Sequence, residues 1–427
     1  MLDPATLYDL WLRLATGPFV VLSYVRGKVN AGGVGFVAAS DIVIADQSAS
    51  FSLSELLFGL MPACVLPFLE RRIGPQRAHY MTLMTSAIGA DQALSWGLVD
   101  ASEADGDNLL RKHLLRLRRL SRPGWRATSN FVARCAAPHD SIATPRWRPT
   151  DRRSAIRRTF RTSCVTSRRA RSRGSRCEMS DDLVQLEQVT PAIVQVTMTD
   201  RVHKNGFSTG LAQALIRTFE TVRSNPAWKV VVLTGYDTYF CTGGTQEMLL
   251  ELAAGGGQYT DYPIYELPLT CEIPVVAAMQ GHAIGGGLVF GLFADLAVLS
   301  RESVYAANFM RYGFTPGFGS TLVLQEKLGL ALAQELLMTA ENYRGDELAG
   351  RGIPFPVLPR ANVLAHAHEL AAQLAEKPRH SLVLLKEHLT SGLRARLPAI
   401  TAREVQMHEQ TFHLPEVRER IKALFGN

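Results

Sequence analysis

What this sequence lacks narrows it before anything it contains. Its six cysteines form no CxxC pair and no Cys/His ligand spacing. That excludes a zinc site and a disulfide scaffold and fits a reducing cytoplasm. No apolar run reaches the roughly 18–20 residues that span a bilayer. The opening "MLDPATLYDLWLRL" has neither a cationic start nor a small-residue cleavage site, so secretion is not expected. Lysine is missing from residues 122–177, which hold 15 Arg and two Asp, a local balance of +13. The whole chain carries +7, which leaves the remainder at −6. The basic character belongs to one segment rather than to a folded face.

What is present is a repeat. At a constant offset of 254, Gly27 matches Gly281, Asp41 matches Asp295, Gly59 matches Gly313 and Pro62 matches Pro316. With one residue added, Gly74 matches Gly329 and Gly97 matches Gly352. Two copies of one large design are present, far beyond the period of a solenoid. In the second, 102 residues separate Met179 from Gly281, whereas 26 residues precede Gly27. The first copy, 1–121, therefore reads as truncated at its front. Its rear ends in a basic amphipathic helix, "NLLRKHLLRLRRL" at 108–120.

Residues 122–178 read as a linker. Arginine without lysine, abundant Ser, Thr and Pro, and no apolar period describe disorder. An out-of-frame stretch joining two proteins, the second starting at Met179, would look the same. A nucleic-acid tail is the alternative, but no aromatic stacking pattern or binding fold accompanies it, so nucleic acid is not an expected partner.

The second copy, 179–427, alternates strands with helices and so predicts an α/β layer architecture. "AIVQVTMTD", "KVVVLTG" and "IPVVAAMQG" read as strands, and "LAQALIRTFETVRSN" as a helix. "LVFGLFADLAVLS" begins as a helix and ends as a strand. From 361 onward the chain reads as three helices, one of them opening at Pro398. Two glycine-rich turns each follow a buried strand: "YFCTGGTQEML" at 239–249 and "GHAIGGGLVF" at 281–290. Each exposes backbone N–H groups at the start of a helix, where unpaired donors favour negative charge. Two such donors converging on one oxygen make an oxyanion hole. Tight helix–strand packing would explain one cluster, but two in the same setting point to a ligand. Neither matches a nucleotide-binding glycine loop.

"IPVVAAMQGHAIGGGLVFGLFADLAVLSRESVYAANFMRYGFTPGFGSTLVL" resembles the core of the crotonase (enoyl-CoA hydratase/isomerase) superfamily. The resemblance covers 179–427 fully and 1–120 in part. It implies a ββα spiral with a C-terminal helical region, preceded by an incomplete second crotonase-like copy. In that family both glycine loops donate amides to a thioester carbonyl that becomes an enolate; the matching positions are Gly244 and Gly286. The family's hydratases carry two glutamates, at positions that are Val289 and Phe309 here. Hydration is therefore disfavoured. Loss of CO2 from a carboxylate conjugated to the thioester gives the same enolate without a base, and apolar walls favour it.

"VVLTGYD", "CEIPVVAAMQGH", "YGFTPGFG" and "LAEKPRHSLVLLKEHL" narrow the resemblance to the decarboxylating enoyl-CoA hydratase homologue of polyketide β-branching cassettes. That implies decarboxylation of 3-methylglutaconyl on an acyl carrier protein to 3-methylcrotonyl, with His408 of "VQMHEQTF" matching a family histidine. At an ordinary pKa of about 6.5 it would bond the departing carboxylate or reprotonate the dienolate. Gln258 stands where some members anchor the substrate carboxylate with lysine, so the anchor is uncharged. Lys204 follows the first strand, where family members meet the pantetheine arm; a solvated loop charge is the alternative. His282 next to the glycines has a structural role in the family. His366 and His368 point to different faces of a helix, which argues against a metal pair. His380, His388 and His413 read as surface residues.

"GKVNAGGVGFVAASDIVIADQSASFSLSELLFGLMPACVLPFLERRIG" resembles the dehydratase companion of the same cassette. Its first glutamate position is Gly35 and its second is Glu55, a lone acid/base candidate; Gly32 matches the second oxyanion donor. The loop for the first donor belongs to the missing front. This copy is therefore expected not to dehydrate on its own and to fold poorly, with core surface uncovered. No metal or redox cofactor is expected, the phosphopantetheine or CoA thioester being the handle. The resemblance implies a homotrimer. The alternatives are an enoyl-thioester isomerase or hydratase, and a non-catalytic carrier-protein-binding subunit.

Overall fold

Val230–Thr234, Val275–Met279 and Leu296–Ser300 are buried along their whole length, as parallel strands covered on both faces must be. In a computed structural model, which describes residues 4–17, 19–118, 179–181, 183–261 and 264–425, they form the middle of a seven-stranded sheet. Its order is Val357–Leu358, Leu296–Ser300, Val275–Met279, Val230–Thr234, Ile193–Met198, Val184–Thr190, Met179–Asp181. The last two pairings are antiparallel and the others parallel. The predicted linker 122–178 lies outside the described residues.

Each long strand leads into a short strand of a second sheet and then a helix. Val230–Thr234 is followed by Tyr239–Cys241 and helix Gln246–Ala253, and Val275–Met279 by His282–Ile284 and helix Gly286–Leu292. Leu296–Ser300 is followed by Val304–Ala306 and, through a 3-10 turn, helix Ser320–Leu328. The short strands pair in sequence order. This is the ββα spiral, with every glycine-rich turn at the same end of its unit. Helix Thr209–Ser224 starts where the Ser208 side chain accepts from the Leu211 N–H, satisfying a donor that the first turn leaves free. It buries Leu211, Leu215, Phe219 and Val222 at helical spacing against the sheet.

The C-terminal region departs from expectation. Residues Arg379–Thr411 form one helix that runs through Pro398. A proline inside a helix removes one N–H and crowds the carbonyl four residues back. The helix survives because it is anchored on both sides: Lys386 and Thr390 before the proline, Thr401 and Glu404 after it, are all buried. Lys386 forms a buried ion pair with Asp295 at 2.7 Å and donates to the carbonyls of Pro268 and Ile273.

The first copy repeats the same units on a smaller scale. Leu22–Val25, Lys28–Asn30 and helix Gly32–Ala38 are followed by Ile42–Ala45 and Ser50–Ser52, with parallel pairing between the equivalent strands. The repeat extends to side chains. Asp41 accepts from the Val21 N–H at 2.8 Å, as Asp295 accepts from the Val275 N–H at 2.8 Å. The basic amphipathic stretch is helix Gly106–Leu117, capped by Asp105. This copy has a core around Trp11, Val34, Phe51 and Leu69. It also leans on the second copy: Leu56, Leu83 and Met84 join one cluster with Val363, Ala367 and Leu370. Some surface stays uncovered, with Phe58 76% and Leu60 62% exposed.

Candidate active site

The loop after strand Ile193–Met198 sets the floor of the site. Buried Asn205, at φ 55°, accepts from the Asp200 N–H and donates to the carbonyls of Met198 and Phe240. That knot holds Gly206–Phe207 parallel to Gly243–Gly244. Gly243 has φ +80°, and a Cβ there would lie 2.6 Å from the Ile284 carbonyl oxygen and 3.2 Å from the Gly286 nitrogen. Only glycine allows the first glycine turn to approach the second this closely. Gly286 opens its helix after Gly285, at φ 53°, so its N–H has no carbonyl a turn earlier to donate to.

Gly244 and Gly286 line one small cavity of about 40 Å³, together with Phe309, Phe318 and His408. Among the described residues, none that lines it is Asp or Glu. Two larger lobes share lining residues with it, one of about 320 Å³ on the Phe207 side and one of about 270 Å³ on the His413 side. Tyr259 borders all three.

His408 comes off the long C-terminal helix into an aromatic setting, with ring centroids 5.0 Å from Tyr259, 5.1 Å from Phe412 and 5.7 Å from Phe314. Its Nε2 lies 2.6 Å from the Thr315 carbonyl oxygen, so Nε2 carries the proton and donates. Burial lowers its pKa to about 4, against the raising effect of the Thr315 carbonyl. This corrects the expectation of an ordinary value: near pH 7 the free site holds a neutral imidazole whose Nδ1 is an acceptor.

One turn before His408, Glu404 is fully buried. It accepts from the N–H groups of Gly319 and Thr321, at 2.7 and 2.9 Å, from the Thr321 hydroxyl at 2.6 Å, and from the Tyr259 hydroxyl at 3.4 Å. Burial raises its pKa, partly offset by these donors. Glu404, Tyr259 and Asn205 were not singled out from sequence. The Glu404/His408 spacing of four puts both on one helix face and was the available signal.

The other expected residues are scattered. Phe309 lines the small cavity, but Val289 is wholly buried in the core and does not reach it. Gln258 is exposed on the rim, lining the two larger lobes, with its amide oxygen accepting from Thr260. Lys204 lines none of the three cavities; its ammonium sits 5.6 Å from the Tyr239 ring centroid. The His282 ring accepts from the Val304 N–H at 3.0 Å, a structural role. His366 and His368 bond to Glu369 and Gln195 respectively. Among the described residues, no group of three or more His, Cys, Asp or Glu could hold a metal ion. No helix among them is long and apolar enough to cross a membrane. In the first copy, Gly32 faces Leu7 and Trp11. Glu55 is half-buried in a 3-10 turn with its Oε2 unpartnered, and burial raises its pKa.

The chain belongs to the enoyl-CoA hydratase/isomerase family, matching it over residues 4–154 and 188–425. It is 58% identical over 249 residues to the bacillaene synthase decarboxylase PksI of Bacillus subtilis (strain 168), covering 58% of this chain and 100% of that protein. It is 72% identical over 127 residues to the bacillaene synthase dehydratase PksH of the same organism, covering 30% of this chain. This second match spans 49% of the dehydratase, about half its length. Among solved structures, one from a dehydratase/decarboxylase enzyme couple involved in polyketide β-branching has TM-score 0.57 and 59% identity, covering 57% of this chain and 100% of that one. The ECH2 decarboxylase domain of CurF from Lyngbya majuscula follows at TM-score 0.56 and 47% identity, covering 57% of this chain and 100% of that one.

Proposed function

We propose that the second copy decarboxylates a 3-methylglutaconyl thioester carried on the phosphopantetheine of an acyl carrier protein, releasing 3-methylcrotonyl thioester in polyketide β-branching. The observation that carries this reading is a cavity bordered by Gly244, Gly286 and His408 and, among the described residues, by no carboxylate. A hydratase or isomerase needs a carboxylate base over the glycines; a decarboxylase does not. Similarity to PksI and to the CurF domain supports the same choice.

In this reading the thioester oxygen sits between the Gly244 and Gly286 N–H groups. The bond between the substrate carboxylate carbon and its neighbour breaks, CO2 leaves, and the electron pair passes through the double bond to the thioester oxygen. Two aligned donors stabilise that dienolate where water is excluded. A proton then adds at the carbon that lost CO2, restoring the conjugated thioester. His408 enters the reaction neutral, but a bound carboxylate favours its charged form. The imidazolium keeps Nε2–H on Thr315 and presents Nδ1–H to the carboxylate, then to the dienolate. Among the described residues no lysine or arginine lines the three lobes, so this induced cation replaces a fixed one.

The test is mass spectrometry of 3-methylglutaconyl carrier protein incubated with the full chain. Loss of CO2 is expected. An unchanged mass with the double bond moved would make the enzyme an isomerase. Retained binding with unchanged substrate would make it a carrier-protein-binding subunit, a reading that the uncharged, rim-exposed Gln258 favours.

A further inference from the structure

The side of helix Arg379–Thr411 that carries His408 grips one short loop at three successive turns. Glu404, His408 and Thr411 follow i, i+4, i+7 and so share one face of the helix. All three bond to residues 315–321. At one end the Thr315 N–H donates to the Thr411 hydroxyl oxygen at 3.3 Å, and the two hydroxyls lie 3.1 Å apart. Thr411 gives its own proton to the Met407 carbonyl, so Thr315 is the donor of that pair. At the other end the Glu404 carboxylate accepts from the Gly319 and Thr321 N–H groups and from the Thr321 hydroxyl. Gly319 precedes helix Ser320–Leu328, and the first N–H groups of a helix have no partner within it. Glu404 satisfies two of them from a distant part of the chain. Between these two ties lies the Thr315 carbonyl, which accepts from Nε2 of His408. Gly317 lets the ring come down on the loop. A Cβ there would lie 3.0 Å from both Cε1 and Nε2 of His408 and 3.1 Å from the Tyr259 ring.

A neutral imidazole carries its proton on either nitrogen, and the hydrogen bond it makes decides which. Here that bond is only as well aimed as the loop that offers the carbonyl. We propose that Glu404 is a positioning residue for the histidine step: by pinning the loop at Gly319 and Thr321 it aims the Thr315 carbonyl at His408 and selects the Nε2–H tautomer, leaving Nδ1 to take up and return the proton. What that proton does rests on the decarboxylase reading; the choice of tautomer does not. Glu404→Gln keeps the size of the side chain but sets an NH2 group against N–H donors, so part of the tie is lost. Thr321→Val deletes the hydroxyl donor alone. Gly317→Ala leaves the tie intact and pushes the ring off the carbonyl directly.

The test is nitrogen NMR of the full chain labelled on its histidine rings, near neutral pH and below the melting transition. The His408 signals are assigned by their absence in His408→Gln. In the wild type Nε2 alone should be protonated. Glu404→Gln should show a second form protonated on Nδ1, and Gly317→Ala, the control that breaks the bond itself, should show it too. Thr321→Val should give a smaller share of the same form, which decides the matter if Glu404→Gln is too unstable to label. In Glu404→Gln, kcat for CO2 release should fall about 10²-fold, the low end of what a positioned acid–base group contributes, with KM little changed. A wild-type ring protonated on Nδ1 would overturn the proposal. So would a single Nε2–H form in both Glu404→Gln and Thr321→Val, whatever their rates, since Glu404 would then act by charge or stability alone. A shifted tautomer with an undiminished rate would overturn it as well. A wild type that shows the tautomer and loses it in the variants, yet releases no CO2, would defeat the decarboxylase reading and leave the role of Glu404 in place.

Discussion

The two glycine turns share a backbone and differ in what stands above it. Ala31 before Gly32 has φ 52°, ψ −126°, and Gly285 before Gly286 has φ 53°, ψ −121°; both open a seven-residue helix. In the first copy, buried Trp11 sits over the turn, and a Cβ on Gly35 would run into its indole. In the second, the matching residues are Tyr265, drawn back among Phe293 and Phe318, and Val289. A cavity remains over Gly286. An oxyanion hole is therefore not a property of the glycine motif. It needs the motif and an unfilled space, and the residue three after the donor helps decide which the fold gets.

The largest effect that would break this comparison is at Gly243. Gly243→Ala places a Cβ 2.6 Å from the Ile284 carbonyl at φ +80°, pushing the first donor away from the second. Loss of one donor commonly costs about 10²–10³ in rate, so kcat for CO2 release should fall by that factor with the thioester still bound. Gly32→Ala, whose Cβ would make only ordinary contacts with Leu7 and Trp11 at 3.7 Å, should leave the same rate unchanged. Equal losses from both would show that the first copy takes part.

Next comes Glu404, which has no counterpart among the described residues of the first copy. Glu404→Ala would strand the Gly319 and Thr321 N–H groups and the Thr321 and Tyr259 hydroxyls in a buried site. Each stranded group costs about 1–3 kcal/mol before relaxation. A net loss of about 3 kcal/mol should lower Tm clearly, and Glu404→Gln should recover part of it. A change below about 1 kcal/mol would show the carboxylate to be dispensable.

Each copy also holds a histidine kept neutral by its surroundings, His79 buried and His408 half-buried. Burial lowers His408 to about 4 and His79 to about 3, from an ordinary 6.5. Between those values and 6.5 the unfolded chain binds more protons than the folded one, so stability present above pH 6.5 is lost as pH falls. His408→Gln and His79→Gln should each flatten the fall of Tm between pH 6.5 and about 4. An unchanged slope in either variant would mean that its histidine is already protonated when folded.

Part of the candidate site was legible in the sequence, because it is written in local backbone chemistry. The two glycine-rich turns were read from glycines after buried strands, and the α/β layering from alternating strands and helices. The choice of Gly244 and Gly286 and the ββα spiral came from the crotonase resemblance. The rest depended on partners distant in sequence. His408 was visible as a residue, but its depressed pKa comes from Tyr259, Phe314 and Phe412 closing around it. Val289 was read as a wall because of its place in the motif, and its side chain turned into the core instead. Pro398 was read as a break because local preference says so, and buried anchors on both sides overrode it.

The smallest test returns to the residue before each donor. Ala31 adopts a backbone that a residue with a Cβ rarely takes, at φ 52°, a strain of about 1–2 kcal/mol. Gly285 relieves the same strain in the second copy, where a Cβ would also press the Asn308 side chain at 2.9 Å. Ala31→Gly should therefore stabilise the first copy, less the roughly 0.5–1 kcal/mol of extra chain entropy that glycine brings to the unfolded state. The net gain of about 0.5–1 kcal/mol should appear as a rise in the denaturant midpoint of the transition that Trp11 fluorescence follows. Gly285→Ala should move in the opposite direction and by more, since strain and the Asn308 contact add. If both substitutions destabilise equally, the two turns do not share the backbone described, and the comparison between the copies fails at its first step.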